Sequence, residues 1–468
     1  GLYNANTAYN LTAVDNWWGN ASGPTHTGNP GGTGDVVSNN VTYTPWLGTP
    51  PVPDPGVLPD FPSIPVYTQV GGAITTNTTW TTAQSPYWVT NDVTVNAGVR
   101  LTIEPGVIVK FAAAKNLTIN GILVAEGTAV NRIVFTSVKD DGVGGDTNGD
   151  GTATWPRPGD WGRITFADSS VDALTRLRFA DIRYGNNAVY VDSASPTISD
   201  NLIVQNAGYG LYLRNYAAPS VVRNWVLDNV AGGISLALTA SGAISENRLW
   251  GNNGYAVYMD TSCYPTFSGN EAHYNDVNGI RVSGNMTFNQ TWYPNLVYVI
   301  EGGMTINNGP ALTLQPGTIV KFKDTTSLLT VNGALIADGT ADNPIVFTSL
   351  RDDAYGGDTD NDDGIYWPAA GNWQRIYFTD SSDDSRSILR NTLVRFGGGT
   401  SNQSVSLDSA APRVISSTIA YGQGYGLYIA NQANPLVQNN TFLANSLDGL
   451  YVTGSSTPNL SNNQFIRN

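Results

Sequence analysis

Apolar and polar positions alternate along most of the chain in short runs of three to five residues, broken by Asn and Gly at regular intervals. Between Ala188 and Gly284 the breaks fall on a 23-residue grid. Asn201, Asn224, Asn247 and Asn270 form one column, and Asn206, Asn229, Asn252 and Asn275 a second. Gly210, Gly233 and Gly279 share a third phase, with Ala256 in the remaining place. The period restarts at Pro412, Pro435 and Pro458, followed by Asn440 and Asn463, and by Asn445 and Asn468. Each unit reads close to P-x-[IV]-x-x-N-x-φ-x-x-N-x-x-x-G-φ-x-φ, where φ is apolar. Period-2 alternation between turn residues predicts two or three short strands per unit. One such unit cannot bury its own apolar face, whereas units stacked at strand spacing share a continuous core. The pattern therefore predicts an all-β parallel β-helix with ~23-residue coils, its corner Asn residues stacked in hydrogen-bonded ladders. The general handedness of parallel crossovers makes it right-handed.

A longer repeat overlies the coils. LTIEPGVIVKF (Leu101 to Phe111) returns as LTLQPGTIVKF (Leu312 to Phe322), and LTINGILVAEGTAVNRIVFTS (Leu117 to Ser137) as LTVNGALIADGTADNPIVFTS (Leu329 to Ser349). PGDWGRITF (Pro158 to Phe166) returns as AGNWQRIYF (Ala370 to Phe378), all at an offset of 211 or 212. These repeats divide the chain into block A, residues 66–283, and block B, residues 284–468, with no linker between them. Residues 49–65 hold seven Pro between Pro50 and Pro65, which predicts a stiff extended connector. Residues 1–48, with DNWWGNASGP and YTPWL, read as the closing segment of a preceding β-helix.

The coil pattern, the LTIEPGVIVKF and IVFTS block and the NWWGNASGP ending resemble bacterial right-handed parallel β-helix repeat proteins of the pectate-lyase-like superfamily. That resemblance covers nearly the whole chain. It implies fold more than function, because the superfamily spans polysaccharide lyases, glycosidases, epimerases, adhesins and surface-layer or filament proteins. Tandem blocks with NWWG endings are similar to its large secreted or cell-surface members. The expected location is therefore extracellular or at a bacterial cell surface.

Composition narrows the partners. The 468 residues carry a net charge of −14 with 13% charged residues, which disfavours nucleic acid or an anionic membrane and suits calcium or neutral glycans. No run of 18 apolar residues exists, so no helical membrane insertion is expected. A single Cys excludes a disulfide framework. Ten N-x-[ST] sequons occur, as chance allows in so Asn- and Thr-rich a chain.

Two acidic loops carry the candidate chemistry. GGDTNGDG (Gly144 to Gly151) fits D-x-[DN]-x-[DN]-G, a spacing that aims alternate oxygens at one point. The carboxylate that closes an EF-hand loop is replaced by Arg157, so Asp140 and Asp141 upstream are expected to complete a Ca2+ site with Asp146, Asn148 and Asp150. GGDTDNDDG (Gly356 to Gly364) repeats the pattern with the Gly shifted one place. Its candidates are Asp352, Asp353, Asp358, Asp360, Asp362 and Asp363. Two loops serve two blocks, each pinning a long insertion to the stack.

No catalytic group emerges from the grid. The best outward pair, Arg183 with Asp192 and its echo Arg395 with Asp408, reads as a repeated surface ion pair. His26 lies in the closing segment, and His273 occupies the column of Val204, Leu227 and Trp250. Cys263 falls among Ala194, Ala217 and Ala240, a stack of small residues. The matched pairs Trp80/Trp292 and Trp161/Trp373 are expected in the core. The last residues stop, and the first GLY begins, about three residues apart in coil phase. This predicts a tandem polypeptide or subunits stacking tail to head. The sequence reading is thus a non-catalytic, calcium-braced segment of an extracellular filament, surface layer or adhesin. The alternative is a polysaccharide lyase or hydrolase, or a glycan-binding β-helix.

Overall fold

The computed structural model describes residues 1–5, 8–51 and 67–468; most of the Pro-rich connector lies outside them. The chain divides into two compact units, Gly1–Pro65 and Val66–Asn468. In the first, Leu11–Thr12 pairs in parallel with Val41–Thr42, and Pro24–Thr25 with Gly34–Val36. Its small core holds Ala13, Trp18, Val37, Val41 and Tyr43.

The second unit is a right-handed parallel β-solenoid. Its described residues include no α-helix, only two 3-10 turns at Thr82–Gln84 and Asp172–Leu174. Within each block the strands pair in parallel with their counterparts in neighbouring coils. One ladder runs Ile198, Val221, Ile244, Phe267; a second runs Ile203, Val226, Leu249, Ala272; a third runs Leu211, Ile234, Val257, Ile280. The residues of the first and third ladders and the first three of the second are buried, so the alternation in sequence becomes columns of stacked apolar side chains.

The corners explain the Asn columns. The residue before each column Asn is left-handed: Asp200, Arg223 and Glu246 have φ of 59°, 54° and 57°, and Gln205 and Asp228 have 56° and 51°. For L-residues this conformation costs about 1–2 kcal/mol each. The Asn that follows supplies the offset. The backbone N–H and Nδ2 of Asn201 both donate to Oδ1 of Asn224, at 3.1 and 2.9 Å. Asn224 does the same to Asn247, and Asn247 to Asn270. Asn206, Asn229, Asn252 and Asn275 form the second ladder.

One sheet runs unbroken between the blocks, while a second ends at Thr266–Ser268 and its successor begins at Gln290–Trp292. Val277–Met286 pairs with Val297–Ile306, carrying the largest sheet across residue 284. The second Asn ladder ends there in an unusual way. Asn275 passes its bonds to Asn278, whose backbone N–H donates to the carbonyl of Thr359 at 2.7 Å and whose Nδ2 donates to that of Asp358 at 3.1 Å. The acidic loop of block B thus caps the ladder of block A. The matched tryptophans lie inside. Trp161 stacks on Phe111 at 4.2 Å and Trp373 on Phe322 at 3.9 Å, and each indole N–H donates to the carbonyl of Arg183 or Arg395 at 2.8 Å. Trp80 and Trp292 stack on Tyr87 and Tyr298.

Candidate metal centres

Each acidic loop leaves the stack after a strand ending in Phe-Thr-Ser, Ile133–Ser137 or Ile345–Ser349, and returns at the buried Trp161 or Trp373. Its first carboxylate is the anchor. Asp140 is 5% exposed; it accepts from Thr136 Oγ1 at 2.6 Å and pairs with Arg183 at 2.8 Å. Asp352 is 2% exposed and repeats both contacts with Thr348 and Arg395, at 2.6 and 3.0 Å. The expected pairs of Arg183 with Asp192 and Arg395 with Asp408 do not form. Asp192 accepts from Asn215 and Ser193, and Asp408 from Tyr377 and Asn431. The arginines turn to the loops because a buried carboxylate needs a partner more than an exposed one does.

Beyond the anchor the carboxylates converge. Asp141, Asp146 and Asp150 each place an oxygen within 4.8 Å of the other two, and Asp353, Asp358 and Asp360 do likewise. Asp146 shapes the turn by accepting from the N–H groups of Gly149 and Gly151, both at 2.8 Å, and of Asp150 at 3.2 Å. Asn148 donates to Asp150 at 2.7 Å. In block B, Asp358 accepts from Asp362 and Asp363 N–H. Asp360 stands where block A has Asn148, so that place supplies a carboxylate instead of an amide. Asp362, the counterpart of Asp150, turns to accept from the N–H groups of Gly364, Ile365 and Tyr366. Asp363 is exposed, with φ of 56°, and belongs to neither set. Of the expected ligands, then, Asp140, Asp352 and Asp362 hold or shape the loops, Asp363 stands outside both groups, and the others make up the clusters.

A buried lysine lies beneath each loop, and the motif reading passed over it. Lys110 and Lys321 are fully buried. Lys110 donates to the carbonyl of Gly145; Lys321 donates to that of Gly357 at 2.9 Å and of Leu350 at 3.4 Å. The signal was present: a Lys at the outward parity of VIVKF and TIVKF, twice, requires an anionic cover. Burial pushes Lys321 down to about 8 against the pull of Asp353, Asp352, Asp360 and Asp358, and lowers Lys110 in the same way. Burial, then Asp362, raises Asp360 to about 6. Burial raises Asp141 and Asp353, with the nearby Asp146 and Asp358 adding to it.

These clusters fit a hard divalent cation. Oδ1 of Asp141, Asn148 and Asp150, and Oδ1 of Asp353 and Asp360, are buried without a hydrogen-bond partner. Such oxygens carry a desolvation cost that a bound cation removes. The donors are all oxygen, the set that Ca2+ takes. Asp141, Asp146, Asn148 and Asp150 would hold the ion in block A, and Asp353, Asp358 and Asp360 in block B. Bound there, it would neutralise the crowded carboxylates and tie each loop to its own base.

Among the described residues, the other sequence candidates belong to neither acid cluster. His26 bonds to Tyr43 and Asn39, His273 packs edge-on to Trp250, and Cys263 is fully buried, its thiol pushed up to about 11 by burial.

Comparison with known families agrees with this architecture. The model of the right-handed beta helix region matches residues 164–319 and 371–468, together more than half of the chain. The chain belongs to the right-handed β-helix family. A pectate-lyase-like beta helix domain matches residues 284–360, from the start of block B into the second acidic loop. A stretch of 83 residues is 45% identical to Protein bark beetle of Drosophila melanogaster, covering 18% of this chain and 3% of that protein.

Proposed function

We propose that this chain is a non-catalytic, calcium-braced structural segment of an extracellular assembly such as a filament, surface layer or large adhesin. The observation that carries this reading is the capping of the block A ladder by Asp358 and Thr359. Binding a cation to Asp353, Asp358 and Asp360 would fix the loop on which the junction between the blocks rests. The outer charges support it too, because they are committed to neighbours in the stack. Asp200 lies between Arg178 and Arg223, Glu301 between Arg281 and Lys323, and Glu271 against Arg248. Carboxylates held in this way serve cohesion rather than proton transfer. Copies would associate coil on coil, because a parallel coil offers its neighbour the same row of N–H and C=O groups that it receives.

The test is calcium titration calorimetry with thermal unfolding, followed by electron microscopy with calcium and after chelation. Two ions per chain are expected, each stabilising the fold by about 2.7 kcal/mol at a hundredfold excess over Kd. Asp141→Asn and Asp353→Asn should each remove one ion. Regular rods or filaments that fray in chelator are the expected images. No calcium uptake, or short rods indifferent to chelator, would overturn the reading.

A further inference from the structure

Beside each acid cluster lies a pocket that the metal does not account for. In block A it is lined by Lys139, Asp141, Thr154, Trp155 and Tyr184 and encloses 330 Å³. In block B the counterparts are Arg351, Asp353, Trp367 and Phe396, with Tyr366 added, and the volume is 600 Å³. Both volumes fall in the range of small-ligand sites.

Trp155 and Trp367 are the unexpected feature. The other matched tryptophan pairs are buried, but these are 69% and 81% exposed. Leaving an indole in water forfeits the burial that draws tryptophan inward, and here it happens twice at the same place. Opposite each indole is a second ring, Tyr184 or Phe396, left-handed at φ of 64° and 61°. Each pocket is also lined by the anchoring carboxylate, Asp140 or Asp352, which is paired with Arg183 or Arg395. The lining also holds a cation, Lys139 (paired with Asp160 at 2.7 Å) or Arg351, and a carboxylate, Asp141 or Asp353, whose Oδ1 is buried without a hydrogen-bond partner.

The geometry points to a pair of saccharide-binding sites, one per block, each taking a neutral sugar ring against its exposed tryptophan. An indole face suits the C–H face of a pyranose ring, apolar on one side and wet at its edge. The mixed-sign lining offers a donor and an acceptor to hydroxyl groups and favours neither an anionic nor a cationic ligand. The two sites are set apart by the stack itself. From Ile164, successive pairings run through Val189, Leu211, Ile234 and Val257 to Ile280; from Gly284 in that same strand they continue through Met304 and Leu329 to Ile376, eight coils on from Ile164. At ~4.8 Å per coil the sites are about 38 Å apart. A glycan long enough to span them engages both and gains avidity.

This inference deepens the metal reading, since the loops that would hold calcium also form the pocket walls, and its test separates the two. Calorimetry and tryptophan fluorescence on the full chain would use cellohexaose, laminarihexaose, mannohexaose and xylohexaose, each with calcium and with chelator. At least one is expected to bind at two sites per chain. Trp155→Ala and Trp367→Ala should each remove one site. The double variant should weaken binding at least about tenfold, while still taking up two calcium ions. Binding of none of the four sugars, or unchanged binding by the double variant, overturns the saccharide sites. Two ions bound without sugar would end this inference alone, whereas sugar bound without calcium uptake would end the metal reading alone.

Discussion

Lys321 Nζ lies 2.9 Å from the carbonyl oxygen of Gly357, a buried ammonium holding the backbone of a loop whose carboxylates surround it. It acts as a resident counter-ion to Asp353, Asp358 and Asp360. Replacing it with an apolar residue of similar length leaves those carboxylates opposed by nothing but an added cation. Lys321→Met should therefore lower stability without calcium by about 3 kcal/mol and tighten calcium binding to block B. The rise in melting temperature on adding calcium should exceed that of the natural chain. A smaller rise would show that the lysine supports the metal site instead of competing with it.

Protons compete for the same site. Asp360, raised to about 6, holds in the folded chain a proton that the unfolded chain releases near its ordinary 3.8. Without divalent cations its contribution is most favourable below pH 4 and is lost as pH rises through 6. Lys321 runs the other way. Lowered to about 8, it costs stability below pH 8, a cost relieved between 8 and 10.5. Calcium must displace the Asp360 proton, so its affinity for block B should fall about fivefold between pH 6 and pH 5. Calorimetry on Asp141→Asn, which isolates block B, measures this; a flat profile from pH 5 to 7 would contradict it.

The Asn ladder gives a prediction independent of metal. Asn224 accepts two bonds from Asn201 and donates to Asn247 and to the carbonyl of Ile198, all in the interior. Asn224→Ala orphans several buried groups at once and should cost about 2–4 kcal/mol, read as a lower midpoint in urea. Arg223→Gly, at the left-handed corner beside it, removes the conformational strain but loses the ion pair with Asp200, and should fall within about 1 kcal/mol of the natural chain.

Cys263 should be inert. Fully buried, with its thiol pushed up to about 11, it stays protonated at pH 8. A thiol reagent should label it only in denaturant. Fast labelling of the native chain would mean that the coil around Ala240 and Cys263 opens.

Residues on the 23-residue grid were legible from sequence because grid position maps directly onto a column of the stack. The Asn ladders and the small-residue column of Ala240 and Cys263 follow from that mapping, and the buried Trp161 and Trp373 from the longer block repeat. The loops were not legible in the same way. They interrupt the grid, so no periodic offset brings Asp140 to Arg183, 43 residues away. Motif spacing identified the acidic residues but could not separate those that converge, such as Asp141, from those that anchor or cap, such as Asp140 and Asp362. That sorting depends on which groups are buried, and Lys110 and Lys321 decide it from beneath.

Because each coil is bonded only to the coils above and below it, tension along the axis meets the hydrogen bonds one row at a time. A molecule pulled in that direction should unzip in steps, each releasing a coil of 23 residues, or about 80 Å of contour. The coils that carry the acidic loops hide far more chain, and a cation closing those loops would withhold that length. Under load, calcium would then set how far the molecule can extend before its junction yields.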